Sequence, residues 1–308
     1  MSAAAITAAS VQVIGGLALA PLLPGLIQHW KARLQGRRGP TPLQPYRELR
    51  RLWRKSGVTV EGASVVYRLA PAVAAASVLA AILVVPAASA ARGFGLGQDA
   101  LALAGLLALA RFAVAAAAWD VGNGFSLMGA SRDLTISVFV EPTLVLSLAT
   151  AALVAGTTDL GGIIAATAGS GVWASPALAL GALAFALVVV AETGRQPVDN
   201  PDTHLELTMI HEGPLLEYAG RDLAYLHWVA AARHWLVLLL AAEIFLPHAR
   251  SPWWQLGMLP VVLIGLCAAL ALTETVFAKM RVLVVPRMLA VASGIALLGI
   301  VAWLAGTP

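Results

Sequence analysis

Apolar runs long enough to cross a bilayer, separated by short polar segments, dominate the chain. About twenty apolar residues are needed to span a hydrocarbon core. Eight runs approach that length, at roughly 3 to 28, 66 to 90, 98 to 118, 134 to 157, 172 to 193, 229 to 247, 254 to 275 and 283 to 305. The pattern predicts an all-α, polytopic membrane protein of about eight transmembrane helices, a single membrane domain over residues 1–308. Segments 158 to 171 and 248 to 253 carry Gly, Pro or Trp and read as tight turns between antiparallel neighbours. Trp119 to Asp133, with Gly122, Gly124 and Gly129, reads as a short polar turn.

After the first run the period changes. His29 to Pro45 contains Gly36, Gly39, Pro40, Pro42 and Pro45, so an ordered turn is expected there. Tyr46, Leu49, Leu52 and Trp53 then recur at three- and four-residue spacing, with Arg47, Arg50, Arg51, Arg54 and Lys55 between them. This is an amphipathic helix lying at the membrane surface. Both anionic lipid headgroups and a cytoplasmic partner suit its basic face.

Composition agrees with the pattern: 59% of the 308 residues are hydrophobic, more than one soluble core can bury. The formal charge of +4 does not indicate nucleic acid, because the basic residues sort by loop. Lys31 through Arg68, Arg132, Arg195, Arg221, Arg233, Lys279, Arg281 and Arg287 fall on or beside the odd-numbered loops. Only Arg92 and Arg250 fall on the even ones, while Arg111 lies inside the third run. By the positive-inside rule the odd loops are cytoplasmic and both termini face out. Segments 29–65 and 194–228 form the partner-docking face. No Lys or Arg precedes Lys31, so the first run is expected to be a retained span, not a signal peptide. The single Cys267 permits neither a disulfide framework nor a thiolate cluster for zinc or iron–sulfur.

Carboxylates inside apolar runs are costly and face a partner or carry a proton. Glu141 lies about two turns inside the fourth run if that helix begins near Asp133, and is followed by Pro142. Glu243 sits near the outer end of the sixth run, where it either reaches the interface or acts in the membrane. Glu274, near the inner end of the seventh, has Lys279 as its nearest cation in sequence.

Polar chemistry concentrates in Ala191 to Gly220, AETGRQPVDNPDTHLELTMIHEGPLLEYAG. This hub holds Glu192, Asp199, Asp202, Glu206, Glu212 and Glu217 with Arg195, His204 and His211, in a chain that is 12% charged. Pro197 is expected to end the fifth helix near Arg195, leaving Glu192 in its last turn. A short helix from Pro201, capped by Asn200 and closed by Gly213 and Pro214, is expected next. Seven-residue spacing of His204 and His211 on one helix is not a metal signature. No phosphate loop, HExxH pair or serine nucleophile arrangement is present, so the isolated chain is not read as an enzyme. Like charges in a partly dehydrated site raise one another's pKa, which fits the hub for proton exchange near neutral pH.

The run Ala191-Glu192-Thr193, Arg195, Pro197, Asp199, Pro201, Glu206-Leu207, Glu217-Tyr218 and Gly220 resembles the subunit 1 family of respiratory complex I. That family also contains the membrane anchor subunits of formate hydrogenlyase and related energy-converting nickel-iron hydrogenases. Arg37-Arg38-Gly39-Pro40 with Leu43-Gln44-Pro45, and Gly129-Ala130 and Arg132 with Glu141, match the same family in order. The resemblance implies a non-catalytic subunit of an oxidoreductase complex in a bacterial or archaeal cytoplasmic membrane. It would bear no cofactor, with nickel-iron and iron-sulfur centres in hydrogenase-like large and small subunits and iron-sulfur proteins on the cytoplasmic side. Antiporter-like membrane subunits would be its neighbours in the bilayer. Glu141 and Glu192 would start a proton pathway, which Glu243 and Glu274 extend. Arg37, Arg38, Arg195, Asp199, Asp202, Glu206, Glu212, Glu217, His204 and His211 would lie at the arm junction. Complex I relatives place an acid-rich run after the Pro-Asp-Pro segment and reach Glu-Tyr sooner. Here DTHLELTMIHEGPLLEY is longer and bears two histidines, which favours the hydrogenase-linked branch, with a quinone-binding subunit as the alternative. A stand-alone secondary transporter would show two related halves, and no internal repeat is evident.

Overall fold

The computed structural model describes residues 10, 13–86, 99–168, 175–200, 209–248 and 252–306, with backbone alone for 252, 253 and 256. Helices α1 (Val13–Leu19) and α2 (Leu22–Leu34) meet at 46°. They are followed by α3 (Gln44–Trp53), α4 (Val65–Val84), α5 (Ala100–Val121), α6 (Gly124–Ala155), α7 (Leu160–Thr167) and α8 (Pro176–Glu192). Then come α9 (Gly220–Ile244), α10 (Pro252–Val276) and α11 (Val285–Leu304). Six of these helices are long and apolar enough to cross a membrane, seven when α1 and α2 form one span, and α8 is an apolar helix of 17 residues. The chain is an all-α multi-pass membrane protein.

The first run does not end near residue 28: its helix continues to Leu34 after the bend. Pro21 has no N–H to offer the Leu17 carbonyl, which frees backbone acceptors at the bend. Side chains take them. Trp228 Nε1 donates to Leu17 O at 3.2 Å, and the Tyr46 hydroxyl donates to Ala18 O. The α1–α2 bend is thereby fastened to α9 and to α3. As its period requires, α3 buries Leu52 while Arg47, Arg50, Arg51, Arg54 and Lys55 are exposed.

The expected polar turn over Trp119 to Asp133 is almost entirely helix. Gly122 closes α5 in the left-handed region at φ 72°, and the Asn123 side chain accepts from Phe125 N to start α6 at once. At 32 residues α6 is about 48 Å long, more than a hydrocarbon core requires. Glu141 therefore lies roughly 25 Å along it, deeper than a start near Asp133 implies. The fourth connection is likewise not a simple turn, because Asp159 caps the short helix α7 within it. Residues 169–174 and 249–251 lie outside the described residues, as do Arg92 and Arg250.

Helix α9 is central, buried continuously from His234 to Phe245 and packed by α2, α3, α4, α7, α8 and α10. Helices α6, α8 and α11 pack together on one side of the bundle, and α4 packs on α5. The odd connections converge at one end. Met280 N donates to Pro197 O at 2.8 Å, and Asp120 accepts from Ser64 N and Tyr67 N. At the other end Ala100 N donates to Thr158 O at 3.1 Å.

Candidate functional site

Helix α5 is rich in alanine, and its one internal cation, Arg111, extends between α6 and α8. Its Nη2 donates to Glu192 Oε1 at 2.8 Å, its Nη1 lies 3.5 Å from Glu141 Oε1, and its Nε lies 3.6 Å from Asp133 Oδ2. Glu192, the last residue of α8, accepts on its other oxygen from Arg233 Nη2 of α9 at 2.7 Å. The Glu192 side chain is 1% exposed, and two guanidinium groups offset its desolvation with charge-assisted hydrogen bonds. Glu141 differs: its side chain is 36% exposed, and Pro142 after it leaves the Val138 carbonyl without its helical donor.

Beside this cluster, Glu274 of α10 is clamped by Lys31 of α2 and Arg195 of the hub, each at 3.0 Å. The expected Lys279 partner is engaged elsewhere, because it reaches Asp199 Oδ1 at 2.7 Å. Arg195 is buried in this pair and not displayed at a docking surface, since Glu274 lies within the bundle. Glu243 does not reach an interface either: it is 1% exposed and accepts from Gln255 Nε2.

Asp199 anchors the hub. Its Oδ2 lies 3.1 Å from His211 Nδ1 and accepts from His211 N, while its Oδ1 accepts from Lys279 Nζ. Burial would push the Asp199 carboxyl up, but the His211 hydrogen bond and the Lys279 ammonium hold it well below the usual carboxylate range. Burial would push His211 down, but its bond to Asp199 and the charges of Asp133 and Asp199 outweigh that and the opposing Arg111, raising it. The other imidazole nitrogen, Nε2, faces Asp133 Oδ1 at 3.7 Å.

The far end of the hub is latched to the neighbouring loops. Tyr67 and Tyr218 stack with centroids 4.4 Å apart; Tyr67 donates to Glu217 O and Tyr218 to Tyr67 O. The Glu217 carboxylate accepts from Asn123 Nδ2. Met209 to Glu212 is not helical and leads into a single 3-10 turn at Gly213–Leu215, so the expected helix does not extend to Gly213. Asp202, His204 and Glu206 lie outside the described residues. The α8 helix ends at Glu192, three residues before the expected stop at Arg195.

A cavity of about 630 Å³ opens between the α2 bend, α3, α9 and the hub. Pro21, Pro24, Pro45, Leu49 and Leu52 line one part, while Arg111, Asp133, Glu192, Asp199 and His211 line another. Glu212 also lines it. The structure thus joins Glu141, Glu192, Asp199 and His211 through Asp133 and Arg111, neither of which the sequence singled out as a site residue. Arg111 was visible only as a cation within an apolar run. Glu274 with Arg195, and Glu243 with Gln255, form separate groups. Arg37 and Arg38 are exposed and make no ion pair with the hub among the described residues.

The family profile described as NADH dehydrogenase matches residues 6–304. The chain belongs to this family. Within the NADH dehydrogenase family it is 34% identical over 310 residues to hydrogenase-4 component C of Escherichia coli, covering 97% of this chain and 96% of the relative. It is 32% identical to formate hydrogenlyase subunit 4 of the same organism, over 96% and 97% of the two chains. A membrane component of the NADH-quinone oxidoreductase of Cereibacter sphaeroides is 32% identical over 77% of this chain and 78% of its own. Among solved structures, a chain of the membrane-bound sulfane sulfur reductase, an archaeal respiratory membrane complex, shares the fold. Its TM-score is 0.82 at 22% identity, covering 95% of this chain and 97% of that one.

Proposed function

We propose that this chain is the membrane anchor and coupling subunit of a hydrogenase-type oxidoreductase complex, linking a cytoplasmic redox arm to proton translocation. The observation that carries this reading is near full-length similarity to two hydrogenase-complex components, against 77% coverage for the quinone-oxidoreductase relative. The hub faces the arm, in which hydrogenase-like large and small subunits and iron–sulfur proteins hold the redox centres. The complex sits in a bacterial or archaeal cytoplasmic membrane with both termini outside and antiporter-like subunits alongside.

The buried cluster supports coupling by a physical route. An arginine stays protonated, so protons move on the carboxylates and the histidine around Arg111. Protonation of one carboxylate frees the guanidinium to favour the others, which couples charge at Asp133 to charge at Glu192 and Glu141. Arg37 and Arg38, exposed on the first loop, and Glu212 and Glu217 on the hub serve the arm junction, as do Asp202, His204 and Glu206.

Purification of the tagged chain from its native membrane tests the reading. Copurification of a large subunit with two CxxC pairs and of iron–sulfur proteins supports it, and electron transfer should be insensitive to quinone-site ligands. The cavity and the NADH-quinone oxidoreductase relatives favour a second reading, a quinone-binding subunit, for which those ligands would block electron transfer. Robust cation transport by the chain reconstituted alone would defeat both.

A further inference from the structure

The cytoplasmic loop and the membrane cluster approach each other through one side chain. Among the described residues His211 alone lies within 4 Å of both Asp199 and Asp133, with Nδ1 at 3.1 Å from the first and Nε2 at 3.7 Å from the second. The two nitrogens of one imidazole thus address two carboxylates on different elements: Asp199 in the loop after α8, and Asp133 in α6. The buried Asp133 Oδ1 has no hydrogen-bond partner among the described residues, so the nearest ionisable group to it is His211. Beyond Asp133, Arg111 leads to Glu192 and Glu141.

We propose that His211 is the proton-transfer link between the hub and the membrane cluster, made or broken by how the 209–215 segment sits on α6. The inference rests on the coupling reading above. A proton reaching Nδ1, by way of the Asp199 carboxylate or water in the cavity both residues line, gives the imidazolium. The Nε2–H bond then breaks as an O–H bond forms on Asp133 Oδ1, leaving neutral imidazole and a neutral carboxyl. A turn of the ring about Cβ–Cγ restores the starting arrangement. At 3.7 Å the gap exceeds hydrogen-bond reach, so transfer needs an approach of about half an ångström.

The seat of the segment on α6 sets that gap. Arg132 Nη1 of α6 donates to Met209 O at 3.3 Å, and Gly213 lies against Gly129 so closely that a Cβ on either would come within 2.7 Å of the other's backbone. A partner that lifts or presses the loop thereby opens or closes the link. The charged groups facing His211 are Asp199 with Lys279 behind it, Asp133 of α6, Arg111 of α5 and Glu192 of α8. Their balance favours the charged ring, as a group that accepts protons near neutral pH requires.

The test uses the intact complex in proteoliposomes, reading redox turnover and proton transport together. His211→Gln keeps a hydrogen-bonding side chain but cannot titrate. Proton transport is expected to fall about a hundredfold or more, the size of a positioned proton-transfer group, while redox turnover persists. In His211→Ala, added imidazole should restore transport with a pH profile that follows the rescuer's own pKa, which a merely structural role would not produce. Should the His211 variants fail to assemble, Asp133→Asn, which removes only the acceptor, carries the same expectation. Full transport in His211→Gln or in Asp133→Asn overturns the link. Glu141→Gln separates the two claims: if it abolishes transport while His211→Gln does not, this link alone fails. If neither affects transport, the coupling reading fails with it.

Discussion

At the scale of single residues, Arg111 decides how much charge the bundle can hold. It faces Glu192, Asp133 and Glu141, while Glu192 also receives Arg233. Removing one member of a buried pair leaves an uncompensated charge and costs about 3–5 kcal/mol. Arg111→Ala is therefore expected to lower the thermal stability and yield of the assembled complex strongly, with Arg111→Lys intermediate because ammonium cannot serve three carboxylates from one plane. Unchanged melting in Arg111→Ala would contradict the arrangement. The acids were legible in the sequence because each interrupts an apolar run. Their partners were not: Glu192 is 81 positions from Arg111 and 41 from Arg233, and no local pattern signals such pairs.

The Asp199–His211 contact sets a pH dependence whose sign follows from the two shifts. His211 is raised in the folded protein, so its contribution is fully present below its unfolded value of about 6.5 and is lost as pH rises through the raised one. Asp199 is lowered, so its contribution is present above about pH 4 and fades only in stronger acid. Amide exchange at residues 209–213 should accelerate in alkali, and His211→Gln should abolish that rise. An equal rise in the variant would assign the loosening to another group.

At the scale of elements, the close approach of α6 to the hub depends on two glycines. A Cβ at Gly129 would meet Gly213 Cα at 2.6 Å. Backbone has to shift to admit it, at a cost of about 1–3 kcal/mol. Gly129→Ala is thus expected to loosen the 209–215 segment and expose it to limited proteolysis, with most of the bundle unaffected. Unaltered cleavage would show that the seat tolerates a methyl group. The sequence offered Gly129 only as one glycine of an expected turn. Helical propensity and the Asn123 cap carried α6 through that stretch, and the turn shrank to Gly122 and Asn123. The amphipathic helix α3 was legible from its period, whereas the α1–α2 bend was not, because the side chains that satisfy its freed carbonyls come from Tyr46 and Trp228.

At the scale of the whole molecule, hydropathy gave the helices in order, and the alternation of basic loops matches their convergence at one end of the bundle. The family was legible from three motifs and is shown by the match over residues 6–304. What no motif conveyed is that the hub and Glu141 are bridged by Asp133 and Arg111, a relation created only when α5, α6 and α8 pack. The central claim is that this bridge carries protons, with Glu141 as its membrane end. It is tested most directly by proton uptake or release across proteoliposomes containing the purified complex, in wild type and Glu141→Gln, during redox turnover. The expected result is an assembled, redox-active variant that moves no protons; full coupling in that variant would contradict the account.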